Sequence, residues 1–171
     1  MILRIIGGVL VCLSCGLLGL YMGNRGVRRA EILTEFKRTL LLLKSEIEYA
    51  VHPLPQAFLS ISRRAAWPFG DFYARAGEEL AAGSLILDEA WEAGLAALTG
   101  SQMTREDLAV IDGLGKALGS IDVDVQLAAI DMAISAVDDM VGRLNVENTK
   151  NVRMYRGLGV LSGLLIVVVL L

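Results

Sequence analysis

The sequence predicts an all-α protein: a six-helix cytoplasmic bundle flanked by an N-terminal and a C-terminal transmembrane helix. Long uncharged stretches lie at both ends of the chain, and apolar residues recur at intervals of three and four through its middle. The ends of the middle segments carry helix caps rather than strand turns. Hydrophobic residues make up 54% of the 171 residues and the mean hydropathy is +0.56, which is high for a soluble domain. We therefore expect part of the chain to lie in a bilayer.

The first predicted element is a transmembrane helix over residues 1–24. Residues 5–22 contain no charged side chain, which agrees with the ~20 apolar residues that cross a bilayer. A cleaved signal is an alternative, because the residues around Cys15 weakly resemble a lipoprotein cleavage site; an exported lipoprotein would be cleaved before Cys15. Cys12 and Cys15 are the only cysteines, so a zinc site of cysteines cannot be completed.

Six helices are predicted in the cytoplasmic segment 25–153, and the first and last are long and amphipathic. The apolar stripe of the first comprises Leu33, Phe36, Leu40, Leu43, Ile47 and Ala50. The stripe of the last comprises Val123, Leu127, Ile130, Ile134, Val137, Val141 and Leu144. The six helices are predicted at about residues 27–50, 55–66, 69–82, 85–99, 104–118 and 122–153.

The four shorter helices are bounded by residues that start or stop helices. Trp67 precedes Pro68 and is therefore pushed out of helical geometry, which ends the second helix. Thr104 and Asp107 form a capping-box pattern, and Asp122 is placed to cap the last helix. Stop signals follow the third, fourth and fifth helices at Gly83, Gly100 and Gly119. The inward positions of the third and fourth helices are Phe72, Tyr73, Ala76, Leu80, Leu87, Trp91, Leu95 and Leu98.

The chain ends in a second predicted transmembrane helix, residues 154–171. Its uncharged part, residues 157–171, is shorter than the ~20 residues that usually span, so it would tilt little or thin the bilayer. Basic residues follow the first anchor and precede the second, which makes the middle cytoplasmic by the positive-inside rule. The first long helix leaves the membrane and the last returns to it, so we expect them to be antiparallel.

The cytoplasmic part is acidic. Removing Arg4 from the 16 basic residues leaves 15 against 19 acidic ones, a net charge of −4, which disfavours a nucleic-acid partner. The acids concentrate between Arg105 and Asp139. They form either a solvated helical face or a docking surface for a basic partner. The acidic side chains of that candidate surface are Glu106, Asp107, Asp112, Asp124, Asp131, Asp138 and Asp139.

No residue pattern in the chain points to catalysis, a metal or a cofactor. The glycines between Gly113 and Gly119 follow no strand, so they favour close helix packing over a phosphate-binding loop. We therefore predict no enzyme activity and no catalytic, metal-binding or cofactor-binding residues. The alternative is a membrane-bound enzyme or small-molecule sensor with a pocket around His52, Tyr73 and Trp91.

Glycine pairs spaced four apart occur in both predicted anchors. This spacing suits close contact between helices, either within one chain or between copies in a homo-oligomer. The four glycines are Gly19, Gly23, Gly159 and Gly163.

The corner after the first long helix holds the only histidine of the chain. Pro53 disfavours a helical conformation at His52, and Pro55 suits the first turn of the next helix because it needs no N–H. An isolated imidazole lacks the partners that a metal site or proton relay needs. We expect His52 to be a turn residue, with Glu46 and Tyr49 bracing the corner.

Three motifs in series resemble the stage III sporulation protein AB family of endospore-forming bacteria. The resemblance covers essentially the whole chain, with Ala50 where glycine is common in the family and His52 where threonine is usual. The motifs are Glu46-Ile-Glu-Tyr49 with Pro53, Leu54 and Ala57; Leu118-Gly119 with Asp122 and Gln126; and Lys150 followed by Arg153 through Gly163.

The resemblance implies a fold and a role. The soluble part of this family is similar to the cytoplasmic domain of the type II secretion inner-membrane platform protein, a six-helix bundle. The implied role is a non-catalytic platform in the channel between mother cell and forespore. The implied partners are a stage III sporulation protein AA-like ATPase, other membrane proteins of the same operon and the lipid bilayer. The expected location is the mother-cell membrane around the forespore, with the bundle facing the mother-cell cytoplasm.

Overall fold

The structure is a computed structural model that describes residues 26–50, 52–83 and 87–170, with side chains through Thr149 apart from that of Ala50. Helix α1 covers 26–45 and continues as a π-helical turn, Glu46–Ala50. The following helices are α2 (Leu54–Ser62), α3 (Phe69–Ala81), α4 (Leu87–Ala97), α5 (Arg105–Leu118) and α6 (Val123–Leu170). The described residues contain six α-helices and no strand, which confirms the predicted all-α class.

The described residues form two compact units. The larger is Glu31–Val141, and the other comprises the described residues that precede and follow it. In the second unit, a Cβ on Gly26 would lie 1.9 Å from Asn148 Oδ1, so the first turn of α1 closely approaches this part of α6. Within the described part of the chain, no helix is both long and apolar enough to cross a membrane.

The side chains of both predicted anchors lie outside the described part of the structure. Residues 1–24 lie outside the described residues. Residues 154–170 continue α6 as backbone, so the predicted helices 122–153 and 154–171 form one uninterrupted helix as far as Leu170.

Helices α1 and α6 are antiparallel in the larger unit, as the sequence predicts. Lys37 Nζ lies 2.6 Å from Asp138 Oδ1, and Lys44 Nζ lies 2.7 Å from Asp131 Oδ1. Seven residues forward along α1 therefore correspond to seven residues backward along α6. This register places the end of α1 level with the start of α6.

The core of the larger unit is aromatic and draws on the first four helices. Phe36 stacks on Phe69 with ring centroids 5.0 Å apart, which joins α1 to α3. Trp91 of α4 meets Phe72 edge to face at 4.9 Å and lies 5.7 Å from Phe58 of α2. Such pairs add a directional preference to the burial of large apolar surfaces. The predicted core positions in α1 and α3 that are fully buried are Leu33, Phe36, Leu40, Leu43, Phe72, Tyr73 and Ala76.

The predicted apolar face of α6 needs a correction. Val123 is half-exposed, and Leu127, Ile134 and Val141 are only partly buried. Ile130, Val137 and Leu144 of the predicted stripe are buried, but the buried face is rotated about the helix axis, because it extends to other residues on the far side of these three. The buried residues of α6 are Gln126, Ala129, Ile130, Ala133, Val137, Met140 and Leu144.

Most of the residues predicted to start or stop a helix lie at the observed helix ends. Thr104 and Asp107 form a capping box, and Asp122 Oδ1 accepts a hydrogen bond from Asp124 N at 2.9 Å. Gly83 and Gly100 both have φ of +88°, the left-handed conformation that stops a helix. Gly119 differs, because its φ of −69° is right-handed. The chain continues into a turn in which Ser120 N donates a hydrogen bond to Ala117 O at 3.2 Å.

Helix α2 ends earlier than predicted, at Ser62 rather than Ala66. Glu35 Oε1 of α1 accepts a hydrogen bond from Ala66 N at 2.6 Å, which holds the chain after α2 in a non-helical path. The guanidinium of Arg38 holds the pKa of Glu35 below its ordinary value, so the acceptor stays charged near neutral pH.

Candidate functional site

The predicted acidic partner surface is not one continuous face. Asp107 is buried at the start of α5, where its Oδ2 accepts a hydrogen bond from Thr104 N at 2.7 Å. Its carboxylate therefore caps a helix and is not part of a docking surface. Glu106, next to it, is exposed.

Three further acids of that set are neutralised by lysines of the same chain. Asp112 pairs with Lys116 at 2.8 Å along α5, and the α1–α6 pairs use Asp131 and Asp138. The partner carboxylates raise the pKa of Lys44 and Lys116, as expected for a favourable pair. These acids join helices of the chain or stabilise one helix, so they contribute little free charge to a partner.

Besides Glu106, the remaining acids of the set are Asp124 and Asp139, which are exposed on α6. Asp122 just before α6 is also exposed. No lysine, arginine or histidine in the described part of the chain forms an ion pair with these three carboxylates. These three carboxylates remain available to a basic partner.

The corner after α1 is held by Glu46. Its carboxylate accepts hydrogen bonds from His52 Nδ1 and Ser60 Oγ, both at 2.9 Å, and Arg64 Nη1 lies 3.8 Å away. The hydrogen bond from His52, followed by that from Ser60, lowers the pKa of Glu46. The carboxylate thus ties the end of α1 to the next loop and to α2.

The other corner residues differ in their surroundings. His52 is a non-helical residue, Pro53 caps α2, and Pro55 lies in the first turn of that helix. Tyr49 is 76% exposed and does not brace the corner. It lies in the π-helical turn, whose wider winding changes the direction of the side chains relative to a continuous α-helix.

The Glu46, His52 and Ser60 group has the wrong order for nucleophilic catalysis. A catalytic triad places histidine between the hydroxyl and the carboxylate, so that the imidazole removes the hydroxyl proton. Here Glu46 lies between the other two, and Ser60 donates to the carboxylate directly. This arrangement fixes a corner and does not activate Ser60.

The predicted alternative pocket around His52, Tyr73 and Trp91 is not assembled. Trp91 is buried and its Nε1 donates to Ile111 O at 3.0 Å, whereas His52 is exposed. Burial raises the pKa of Tyr73, whose ring packs 4.9 Å from that of Phe72. Among the described side chains, no three His, Cys, Asp or Glu residues are grouped so that they could hold a metal ion.

The glycines of α5 serve helix packing at one position. A Cβ on Gly115 would lie 2.4 Å from Trp91 Cδ1, so only glycine lets the indole approach there. Gly113 has no atom within 4 Å of such a Cβ, and at Gly119 the nearest is 3.5 Å away. Of the predicted anchor glycines, Gly19 and Gly23 lie outside the described residues. Gly159 and Gly163 lie where α6 is described by its backbone alone.

Sequence reasoning did not identify the exposed apolar residues as a site. Ile121 is fully exposed in the loop between α5 and α6, and Val123 and Val125 are half-exposed in the first turn of α6. Tyr49 lies at the end of α1, which the antiparallel register brings level with them. The run Ile121, Val123 and Val125 could have indicated this site, because alternate positions at a helix start cannot all face one core.

The chain is similar to known proteins of one family. The family described as "Stage III sporulation protein AB" matches residues 4–171. "Stage III sporulation protein AB" of Bacillus subtilis (strain 168) is 25% identical over 170 residues, which cover 99% of each chain. A solved structure of a stage III sporulation protein AB has a TM-score of 0.66 at 22% identity and covers 71% of this chain and 97% of that one. This structural similarity shows a shared fold.

Proposed function

This chain belongs to the stage III sporulation protein AB family, and we propose that it is a non-catalytic membrane platform of the mother cell–forespore channel. In this role it docks the cognate secretion-type ATPase, an AA-like protein of the same sporulation stage. The observation that carries the proposal is the family match over residues 4–171, which includes both terminal apolar stretches as well as the helical unit. The platform role itself comes from the resemblance of the family's soluble part to the type II secretion platform.

The construction of the larger unit supports a mechanical role. Aromatic rings from α1 to α4 interlock, and Trp91 fills the space that Gly115 leaves on α5. A close-packed interior has low compressibility and transmits force between its faces. Such a unit can resist or pass on the motion of an ATPase without chemistry of its own.

The membrane arrangement is part of the proposal. Residues 1–24 and 154–171 act as the two anchors, and the unit between them lies in the mother-cell cytoplasm. The basic residues beside both anchors support this orientation. Other membrane proteins of the same operon would contact the anchors, where Gly19, Gly23, Gly159 and Gly163 suit close helix packing.

Two alternative functions have less support. Tyr73 and Trp91 belong to the core, so an enzyme or sensor pocket around them would require the bundle to open. The exported lipoprotein predicts cleavage before Cys15, and the mass of the purified mature chain distinguishes it from an anchored protein.

The proposed function is tested by copurifying the detergent-solubilised full chain with its AA-like ATPase at low and raised salt. We expect association that weakens as salt rises, because exposed carboxylates contribute to the contact. The control is an unrelated two-anchor membrane protein of similar net charge, which should not retain the ATPase. If the two folded proteins do not associate at either salt concentration, the docking role is wrong.

A further inference from the structure

Exposed apolar side chains gather at the end of the larger unit where α1 stops and α6 begins. The antiparallel register set by Lys37 with Asp138 and Lys44 with Asp131 brings these two helix ends level. The other large exposed apolar residues of the unit, Leu41, Trp67 and Met132, are separated from one another along the chain. The apolar side chains at this end are Tyr49, Ile121, Val123 and Val125.

Hydrogen bonds fix the loop that carries Ile121. Gln126 is buried, and its Nε2 donates to Leu118 O at 2.9 Å and to Ser120 O at 2.7 Å. Asp122 Oδ1 accepts from Asp124 N, which fixes the other side of the loop. Ile121 is nevertheless 100% exposed. A fixed loop that presents a large apolar side chain to water has already lost the conformational freedom that binding would otherwise remove.

Exposed carboxylates alternate in sequence with these apolar residues. Glu48, Asp122 and Asp124 are all exposed at the same end of the unit. Asp122 and Asp124 form no ion pair within the part of the chain that the structure describes, in contrast to Asp131 and Asp138 farther along α6. The same end of the unit thus presents both apolar and negatively charged side chains to solvent.

We propose that this end of the unit docks an amphipathic helix of a partner protein, with an apolar stripe flanked by lysine or arginine. The apolar stripe would cover Ile121 and its neighbours, and the basic side chains would pair with the exposed carboxylates. A helix is the occupant because the surface is built from helix ends and a loop, with no sheet edge in the described residues that could accept a strand. An anionic membrane surface would be repelled by the carboxylates. We name this surface, comprising Glu48, Tyr49, Ile121, Asp122, Val123, Asp124 and Val125, the α1–α6 tip.

This inference rests on the proposed function, since the helix would belong to the docked ATPase. It is tested by the affinity of the full detergent-solubilised chain for that ATPase. One variant carries Ile121→Ser with Val125→Ser, and a second carries Asp122→Asn with Asp124→Asn. Asparagine caps helices as well as aspartate does, so the second variant removes charge and keeps the cap of α6.

The controls change similar residues away from the α1–α6 tip. Trp67→Ser removes an exposed apolar side chain after α2, and Glu78→Gln with Glu89→Gln removes two exposed charges from α3 and α4. We expect the apolar variant to lose about tenfold or more in affinity, as for a central contact. The charge variant should bind several-fold more weakly at low salt and lose most of its salt dependence. Both controls should bind as the unmodified chain does.

The outcomes separate the two proposals. If the unmodified chain binds the ATPase and the tip variants bind equally well, the tip is not the docking surface and the platform role stands. If the unmodified chain does not bind, the docking role fails and this inference fails with it. Thermal unfolding followed by circular dichroism verifies that each variant is folded.

A photo-crosslinker at position 121 tests the chemistry of the occupant directly. Mass spectrometry of the crosslinked complex should identify an ATPase peptide with lysine or arginine beside apolar residues at helical spacing. A crosslink to an acidic or extended segment, or only to a second copy of this chain, would overturn the proposed occupant.

Discussion

A single carboxylate organises the corner after α1. Glu46 is almost buried, yet its two oxygens receive His52 Nδ1 and Ser60 Oγ at hydrogen-bond distance and face the guanidinium of Arg64. Because a buried carboxylate loses hydration, these donors decide whether its charge is tolerated. The stability of this corner therefore depends on the charge of one residue.

Replacing Glu46 with alanine should lower the free energy of unfolding by about 1–3 kcal/mol near neutral pH, because its donors lose their acceptor. In the folded chain the pKa of Glu46 lies below its ordinary value of 4.5. The stabilisation by the charged form is therefore fully present above pH 4.5 and is lost as the pH falls through the lower folded-state pKa. Unfolding followed by circular dichroism over this pH range checks the effect.

Glu48 provides the matched control for Glu46. It is exposed two residues farther on, so Glu48→Ala should change stability little at any pH. A stability difference between the Glu46 variant and the unmodified chain that stays constant down to strongly acidic pH would contradict the assignment.

Two glycines of α5 should respond to alanine in opposite directions. Gly115→Ala would place a Cβ 2.4 Å from the ring of Trp91, so we expect a loss of about 1–3 kcal/mol through overpacking. Gly113→Ala meets nothing within 4 Å and should gain up to about 1 kcal/mol through helix propensity. Thermal midpoints of the two variants, measured side by side, provide the comparison. Equal midpoints would show that the indole does not occupy this space.

At the scale of single helices, the capping box of α5 depends more on Asp107 than on Thr104. Asp107 Oδ2 receives Thr104 N at 2.7 Å, whereas Thr104 Oγ1 receives Asp107 N at 3.4 Å, which is a long hydrogen bond. We expect Thr104→Ala to cost about 0.5–1 kcal/mol and Asp107→Ala about 1–3 kcal/mol. Urea unfolding of both variants measures the difference, and Thr104→Ser, which keeps the hydroxyl, is the control. A larger cost for Thr104→Ala would reverse the assignment.

Helix number and most caps could be predicted because their signals are local. The face of α6 could not, since the predicted stripe and the observed buried face share Ile130, Val137 and Leu144 and both satisfy a helical period. The choice depends on how closely the neighbouring helices approach. The end of α2 could not be predicted either. It depends on a hydrogen bond from Ala66 N to the Glu35 carboxylate, which is distant in the sequence.

The candidate site shows the same division between local and long-range information. The excess of acids between Arg105 and Asp139 is evident in the sequence, but their availability depends on which helices lie beside them. Lys37 and Lys44 of α1 form ion pairs with two of these acids, Asp138 and Asp131. Asp107 is buried where it caps α5. Conversely, Tyr49 and Ile121 are far apart in sequence, and only the antiparallel register brings their helix ends together.

At the scale of the whole molecule, the exposed α1–α6 ion pairs contribute specificity more than stability. Surface pairs are screened by water and salt and are individually weak. Their matched spacing nevertheless favours one register, because sliding α6 along α1 would place each lysine away from its aspartate. The apolar contacts beneath them then provide most of the stability of the larger unit.

We expect a fragment of residues 31–141 to fold alone, because it retains the compact unit and its aromatic core. It should be highly helical and unfold in one cooperative transition in circular dichroism and calorimetry. A matched fragment of residues 31–122 removes α6, so the face of α1 beside Lys37 and Lys44 would be uncovered. That fragment should lose cooperativity and bind a hydrophobic dye, since exposed apolar surface without fixed packing is typical of a molten globule. Cooperative unfolding of the shorter fragment would show that α6 is dispensable. If the longer fragment does not unfold cooperatively, folding of the unit depends on the residues that precede residue 31 and follow residue 141.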